Sequence, residues 1–333
     1  MVKTVFILGA TGYIGGGSLL VSLKKTHPDL VYKALVRSES DIIPVGAAGA
    51  TPVHRSFTDH NLIAEHCAHA DIVVNAADSD DIQLTNAVLR GLKRRKEEGR
   101  GIAVLIHTSG DAIFNDNGKE GKHNPNMKVW TDSEEDIRSL TPSMIHGQVD
   151  VPVLKAAEEG YANSFILCPS IVYGRGSGPV KRITILVRLL LESSKVQPYR
   201  RVHYVGEGTN INALININDL IEAYLLIFKF ALDAGHTLLP SNPYARYYNA
   251  SAIPVAWKDL TRALAGAFHK KGLVNSPEPI SVSYEDAGSA NWYLAFNVPI
   301  RTKRLLELGW KPVHRELTNE TFAEDVDEIL KEN

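Results

Sequence analysis

Short apolar runs rich in β-branched residues alternate with amphipathic stretches over the first two-thirds of the chain. VFILG (5–9) predicts a strand, TGYIGGGSLLVSLKKTH (11–27) a turn and helix, and VYKALVR (31–37) a second strand. ADIVVNAA (70–77) and GIAVLIHTSG (101–110) read as further buried strands. Between them, DIQLTNAVLRGLKRRKEEG (81–99) reads as a helix with a basic outer face, stopped by glycine. VPVLKAAEEGYA (151–162) carries helix formers, and SFILCPSIVYG (164–174) is strand-like again. Strands alternating with helices predict an α/β fold, a Rossmann-type doubly wound parallel sheet covered on both faces.

Residues 111–141 are polar and include NDNGKEGKHNPN, an excursion after a strand end in which Ser133 can cap a short helix. Beyond Gly174 the alternation weakens. RITILVRLLLESS (182–194) predicts a helix, and residues 211–235 predict a strand and a long helix with Asp219 near its cap. The tail, 302–333, predicts two short helices around the LGWKP turn.

Composition removes several function classes. The 333 residues are 44% hydrophobic and 22% charged, with a net charge of −2, so no general attraction to nucleic acid or an anionic membrane is expected. No run of 18 apolar residues suggests a membrane span, and VKTVFILG runs into a glycine turn, as a first strand does, rather than into a cleavage site. The two cysteines, Cys67 and Cys168, have no metal-type spacing and read as buried small hydrophobes in a reducing compartment. A cytoplasmic address is the expectation.

The candidate chemistry starts at FILGATGYIGG. Gly9, Gly12 and Gly15 stand in G-x-x-G-x-x-G spacing between a predicted strand and a predicted helix. Glycine permits a tight turn close to a pyrophosphate, and the helix start offers N–H groups and positive dipole charge to the anion. With Thr11, Tyr13 and Ile14, this segment resembles the short-chain dehydrogenase/reductase superfamily in its extended, epimerase/dehydratase-like branch. The resemblance runs over nearly the whole chain. It implies a dinucleotide-binding domain at 1–174, which also receives segments near 205–232 and 245–258. A smaller substrate-binding lobe is implied at 175–204 and 259–333.

In place of the acid that would hold the ribose 2′-OH of NAD, the second strand ends in ALVRSES. Arg37 and Ser38 suit a 2′-phosphate, so NADP is expected, with Glu39 keeping NAD open. The resemblance further implies an adenine contact at Ser56 and Phe57. It implies a close cofactor approach at Ala76, Ala77 and Asp78, and a nicotinamide wall at Cys168, Pro169, Ser170 and Val172, with Thr108 at the neighbouring strand end.

The superfamily moves a proton through a tyrosine four residues before a lysine. KAAE (155–158) resembles the lysine segment, so Lys155 is expected to bind cofactor and act in catalysis, but Val151 stands four residues earlier. The signature tyrosine is therefore expected to be absent. Candidate replacements for it are His146, Gln148, Asp150 and Tyr173; the superfamily's Ser/Thr position, which holds the substrate oxygen, falls at Gly110, with Thr108, Ser109 and Asp111 as neighbours that can substitute. The expected function is an NADP-dependent oxidoreductase acting on a carbonyl or hydroxyl of a small metabolite. The alternatives are a non-catalytic NADP-binding sensor and, against the missing tyrosine, a nucleotide-sugar epimerase or dehydratase. The resemblance also implies homodimerisation through two helices as common.

Overall fold

The computed structural model describes residues 2–196, 200–233, 237–239, 242–288 and 291–331. Ala234 and Gly235, where the long helix was expected to end, and Glu332 and Asn333 lie outside these. The strands of the two larger sheets are numbered here in chain order. They are β1 (Thr4–Leu8), β2 (Val31–Val36), β3 (Thr51–His54), β4 (Ile72–Asn75), β5 (Ala103–Thr108), β6 (Ala162–Pro169), β7 (Ile171–Tyr173), β8 (Ile211–Asn216), β9 (Tyr247–Ala250) and β10 (Ile253–Ala256). Seven of them form one parallel sheet in the order β9-β6-β5-β4-β1-β2-β3.

Period-two alternation splits each strand between two cores. Val5, Ile7, Val104 and Ile106 pack with the helices Leu20–Thr26 and Ile217–Asp233, whereas Phe6, Leu8, Ala103 and Leu105 pack with His60–His69, Ile82–Glu97 and Gly147–Glu158. Helices on both faces make this the Rossmann-type doubly wound sheet that the alternation predicts. Chain order reverses between β1 and β4, so the crevice at their carboxyl ends is the natural ligand site.

A third core carries the C-terminal part. Ile171 and Tyr173 of β7, Leu214 of β8 and Ile253 and Val255 of β10 join Leu186, Leu190, Trp257, Leu264 and Phe322. β8 pairs in parallel with β7 and antiparallel with β10. Ser133 caps the helix Glu134–Arg138 by accepting from Asp136 N at 3.2 Å, as the polar segment predicts.

Asp219 lies in the first turn of Ile217–Asp233, and its work is to hold the tail. Its carboxylate accepts from Val313 N and His314 N, both at 3.0 Å, and its carbonyl accepts from Trp310 Nε1 at 2.8 Å. Asp219→Ala would remove the acceptor shared by those amides and is expected to lower the unfolding free energy by about 1–2 kcal/mol, read from a denaturant midpoint.

Candidate active site

The turn after β1 brings three backbone segments together. Gly9 has φ +86° and a Cβ there would collide with the Ala76 carbonyl beyond β4; a Cβ on Gly16 would collide with the Ala10 carbonyl. The helix that follows is wound wide over Gly15–Leu19 and continues as α-helix over Leu20–Thr26. Gly12 N donates to Gly9 O at 2.8 Å, and Gly16 N to Gly12 O at 3.1 Å, which closes the loop. Thr11, Gly12, Tyr13 and Ile14 are half-buried, Gly15 is buried, and Tyr13 Oη donates to Gly174 O at 2.6 Å. The expected trio is thus present, and Gly16 is a fourth position that only glycine fills.

Beside β2, the Arg37 guanidinium lies 4.6 Å from the centre of the Phe57 ring. Arg37, Ser38, Ser56 and Asp78 are exposed, Ser38 Oγ pairs with Ser40 Oγ at 2.7 Å, and Ser56 Oγ pairs with Thr58 Oγ1 at 2.9 Å. Asp78 Oδ1 accepts from Asp80 N at 2.8 Å.

From the glycine loop a cavity of about 870 Å³ extends toward the C-terminal lobe. Its near wall holds Gly12, Tyr13, Ile14, Ala76 and Ala77, and its far wall Pro169, Ser170, Ile171 and Val172. Gly110, Asp111, Ala112 and His146 form the floor. Ser170 Oγ and Asp111 Oδ2 are buried and make no hydrogen bond within the protein. Burial pushes the Asp111 carboxyl up to about 8, against a small opposing pull from a backbone hydrogen bond. It is therefore a neutral acid at pH 7.

His146 caps the helix Gly147–Glu158 in the left-handed region, φ +61°, which a histidine adopts only at a cost. That turn sets its ring over Gly110, where a Cβ would come within 2.9 Å of Nε2. On the other side Nδ1 pairs with Asp80 Oδ1 at 2.9 Å, and Gln148 Nε2 donates to Asp80 O at 3.0 Å.

Lys155, Ser109, Thr108 and Cys168 do not line this cavity, and neither do Gly9, Thr11, Gly15, Arg37, Ser38, Ser56, Phe57 and Asp78. Lys155 is exposed and stands nine positions beyond His146 on the same helix. At the α-helical rise that is about 13 Å along the axis, farther than a lysine side chain reaches back. Ser109 is buried and donates inward to Asp150 Oδ2 at 2.6 Å. Thr108 Oγ1 pairs with Tyr224 Oη at 2.6 Å. Cys168 is fully buried in the sheet core, where burial pushes its thiol far up, so it lies beneath the wall that Pro169 forms.

Sequence reading missed the cluster that turns Ser109 inward. Asp150 Oδ2 also accepts from Tyr247 Oη at 2.9 Å, and Asp150 Oδ1 lies 3.4 Å from His107 Nε2, all of them buried. His107 and Tyr247 come from separate strands, and the only sequence signal is a polar side chain at an inward strand position.

With fold and cavity in view, the comparisons with known proteins fall into place. The chain belongs to the NAD dependent epimerase/dehydratase family, whose model matches residues 5–238. It is therefore an NAD(P)-binding enzyme of the epimerase/dehydratase type, with the oxidoreductase-type chemistry its cofactor carries. It is 27% identical over 346 residues to the oxidase ucsJ of Acremonium sp, covering 96% of each chain. It is 26% identical over 344 residues to an uncharacterized protein of Schizosaccharomyces pombe, covering 96% of this chain and 98% of that one. Among solved structures it resembles the dTDP-glucose 4,6-dehydratase DesIV of Streptomyces venezuelae with NAD and TYD bound. The TM-score is 0.67 and the identity 16%, over 99% of this chain and 97% of that one. The UDP-glucose 4-epimerase of Thermotoga maritima with UDP-glucose gives a TM-score of 0.66 at 15% identity, over 99% of both chains. At these identities the structural likeness concerns the fold. Among the described residues, no helix is long and apolar enough to cross a membrane, and no group of His, Cys, Asp and Glu is arranged to hold a metal.

The raised Asp111 pKa makes stability depend on pH. Between the ordinary carboxylate range and about 8 the folded state keeps a proton that the unfolded state has lost, so rising pH costs stability through that window. Asp111→Asn removes the effect. Its unfolding midpoint relative to wild type is expected to rise from near pH 4 to pH 8 and then level off, as measured by thermal melts across that range.

Proposed function

We propose that this enzyme is an NADP-dependent oxidoreductase that reduces a carbonyl of a small metabolite, or oxidises the matching alcohol, with Asp111 as the proton donor. The observation that carries the reading is a neutral carboxylic acid on the cavity floor, one strand end away from the glycine loop. An acid whose pKa burial raises to about 8 is matched to proton transfer near neutrality.

The residues present fit the cofactor. The Gly9–Gly16 turn packs against Ala76 and Ala10 so closely that Gly9 and Gly16 admit no Cβ, and this tight strand-to-helix turn is the kind that receives a pyrophosphate on its backbone. Ala76 and Ala77 leave a low wall beside it, and the unpaired Ser170 Oγ is a donor suited to a carboxamide. Arg37, flat on Phe57, is positioned for a ribose 2′-phosphate, which is the reason to prefer NADP over NAD. A bound nicotinamide supplies the hydride, or accepts it in the reverse direction.

The protein's part is proton management. As the carbonyl carbon gains hydride, its oxygen takes the Asp111 proton, and the resulting carboxylate regains one from water. His146, fixed by Asp80 and set over Gly110, holds the floor segment and offers Nε2 as a second polar contact to the substrate oxygen. The dimer and the cytoplasmic address stay part of this proposal.

Steady-state kinetics with NADPH and a panel of aldehydes and ketones test it. Asp111→Asn is expected to lower kcat by about 100-fold or more with the Kd for NADPH unchanged. In the reduction direction, wild-type kcat should fall as pH rises through about 8, and Asp111→Asn should lack that limb. Tight NADPH binding with no turnover of any substrate would instead support the sensor. Arg37→Ala is expected to raise the KM for NADPH about tenfold and to leave that for NADH nearly unchanged.

A further inference from the structure

We infer that the substrate is a flat, largely apolar carbonyl compound, aryl or alicyclic, held against Trp292, and not a nucleotide sugar. This rests on the reading of the large cavity as the reaction site and adds the substrate class to it.

The lobe side of the cavity is built from apolar side chains left open to solvent. Trp292, on the short helix Asn291–Ala295, is 46% exposed, and Ile185 at the start of the helix Ile185–Val196 is 78% exposed. Both line the same cavity. Single exposed apolar residues are ordinary, but two large ones at the mouth of one concave site form a surface that a ligand would cover.

Trp292 is also braced. Its ring centre lies 5.5 Å from that of Tyr293 at 61° and 5.7 Å from that of Phe296 at 44°, and Tyr293 in turn meets Trp257 edge-on at 5.6 Å. An aromatic plate held from behind presents a face for stacking with little further ordering cost.

The polar lining argues against a sugar. A nucleotide sugar presents many hydroxyls and a base edge, which proteins read with carboxylates and amides that accept as well as donate. Among the described residues lining the cavity there is no Asn, Gln or Glu, and the one acid is Asp111, already neutral. The cations Lys181 and Arg188 only donate, and they suit a substrate carboxylate as well as a diphosphate. What is missing is a carboxylate or side-chain amide that could bind paired sugar hydroxyls, among the described lining residues.

Calorimetry on the full chain saturated with NADP+ tests this, with 2-acetonaphthone and UDP-glucose as probes. The ketone is expected to bind at least about tenfold more tightly than the sugar nucleotide. Trp292→Ala should weaken the ketone about tenfold and Trp292→Phe about threefold. Both variants change a half-exposed side chain, and circular dichroism and melting will check their fold; Ile185→Ser provides an independent loss from the opposite side. Tighter binding of UDP-glucose, no heat from the ketone, or ketone affinity unchanged in both Trp292→Ala and Ile185→Ser would overturn the inference. Ketone binding with no reduction by NADPH would sink the oxidoreductase reading and support this one, whereas turnover of UDP-glucose would do the reverse.

Discussion

The site depends on a crossing of bare backbone. At the carboxyl ends of β1 and β4, Gly9 passes so close to the Ala76 carbonyl that no side chain fits between them, and Gly16 does the same against Ala10. This contact fixes where the helix after β1 begins and therefore where its first-turn amides point. It also keeps the near wall of the cavity low, where the small residues Ala76 and Ala77 follow β4. A side chain at Gly9 or Gly16 would collide with that backbone and push the loop off the sheet.

The second constraint is the division of polar groups at the end of β5. Ser109 is drawn inward, where Asp150 accepts its hydroxyl proton together with that of Tyr247. Gly110 then gives up its side-chain volume to the His146 ring, and Asp111 is left on the floor. One strand end thus yields a buried anchoring hydroxyl and a cavity-lining acid within three residues. The anchoring matters for the acid: desolvation raises its pKa only while the segment stays packed. The left-handed His146 belongs to the same arrangement, because a relaxed backbone there would turn the ring away from Gly110.

Most of the fold was legible because it is written locally. Alternating strand residues, the Ser133 cap and the glycine spacing each operate within a few positions and reappear in the structure, whereas the strand Thr51–His54 and the helices His60–His69 and Trp257–Lys270 were not read. The site was legible only in part. Asp111 stood at a strand end that could be read, whereas His146 lay ahead of the helix expected over 151–162 and in the structure stands at the helix start. Lys155 is exposed and does not line the cavity, and its helix runs from Gly147, four residues earlier than the helix formers indicate. Gly16 was hidden behind the more familiar trio, since its need for glycine comes from a carbonyl six residues earlier and not from spacing. His107, Asp150 and Tyr247 meet across two strands and a helix, and Trp292 reaches the cavity from far along the chain. No local pattern carries such pairings.

The central claim is that nicotinamide chemistry happens between the glycine loop and a neutral Asp111. It is tested most directly by determining the structure with NADPH bound. The account predicts the pyrophosphate on the Gly9–Gly16 turn, the adenine ribose phosphate beside Arg37, and the nicotinamide C4 face open toward Asp111 with a proton-transfer distance free for substrate. A nicotinamide directed away from Asp111, or a pyrophosphate bound elsewhere than on the glycine turn, would contradict it.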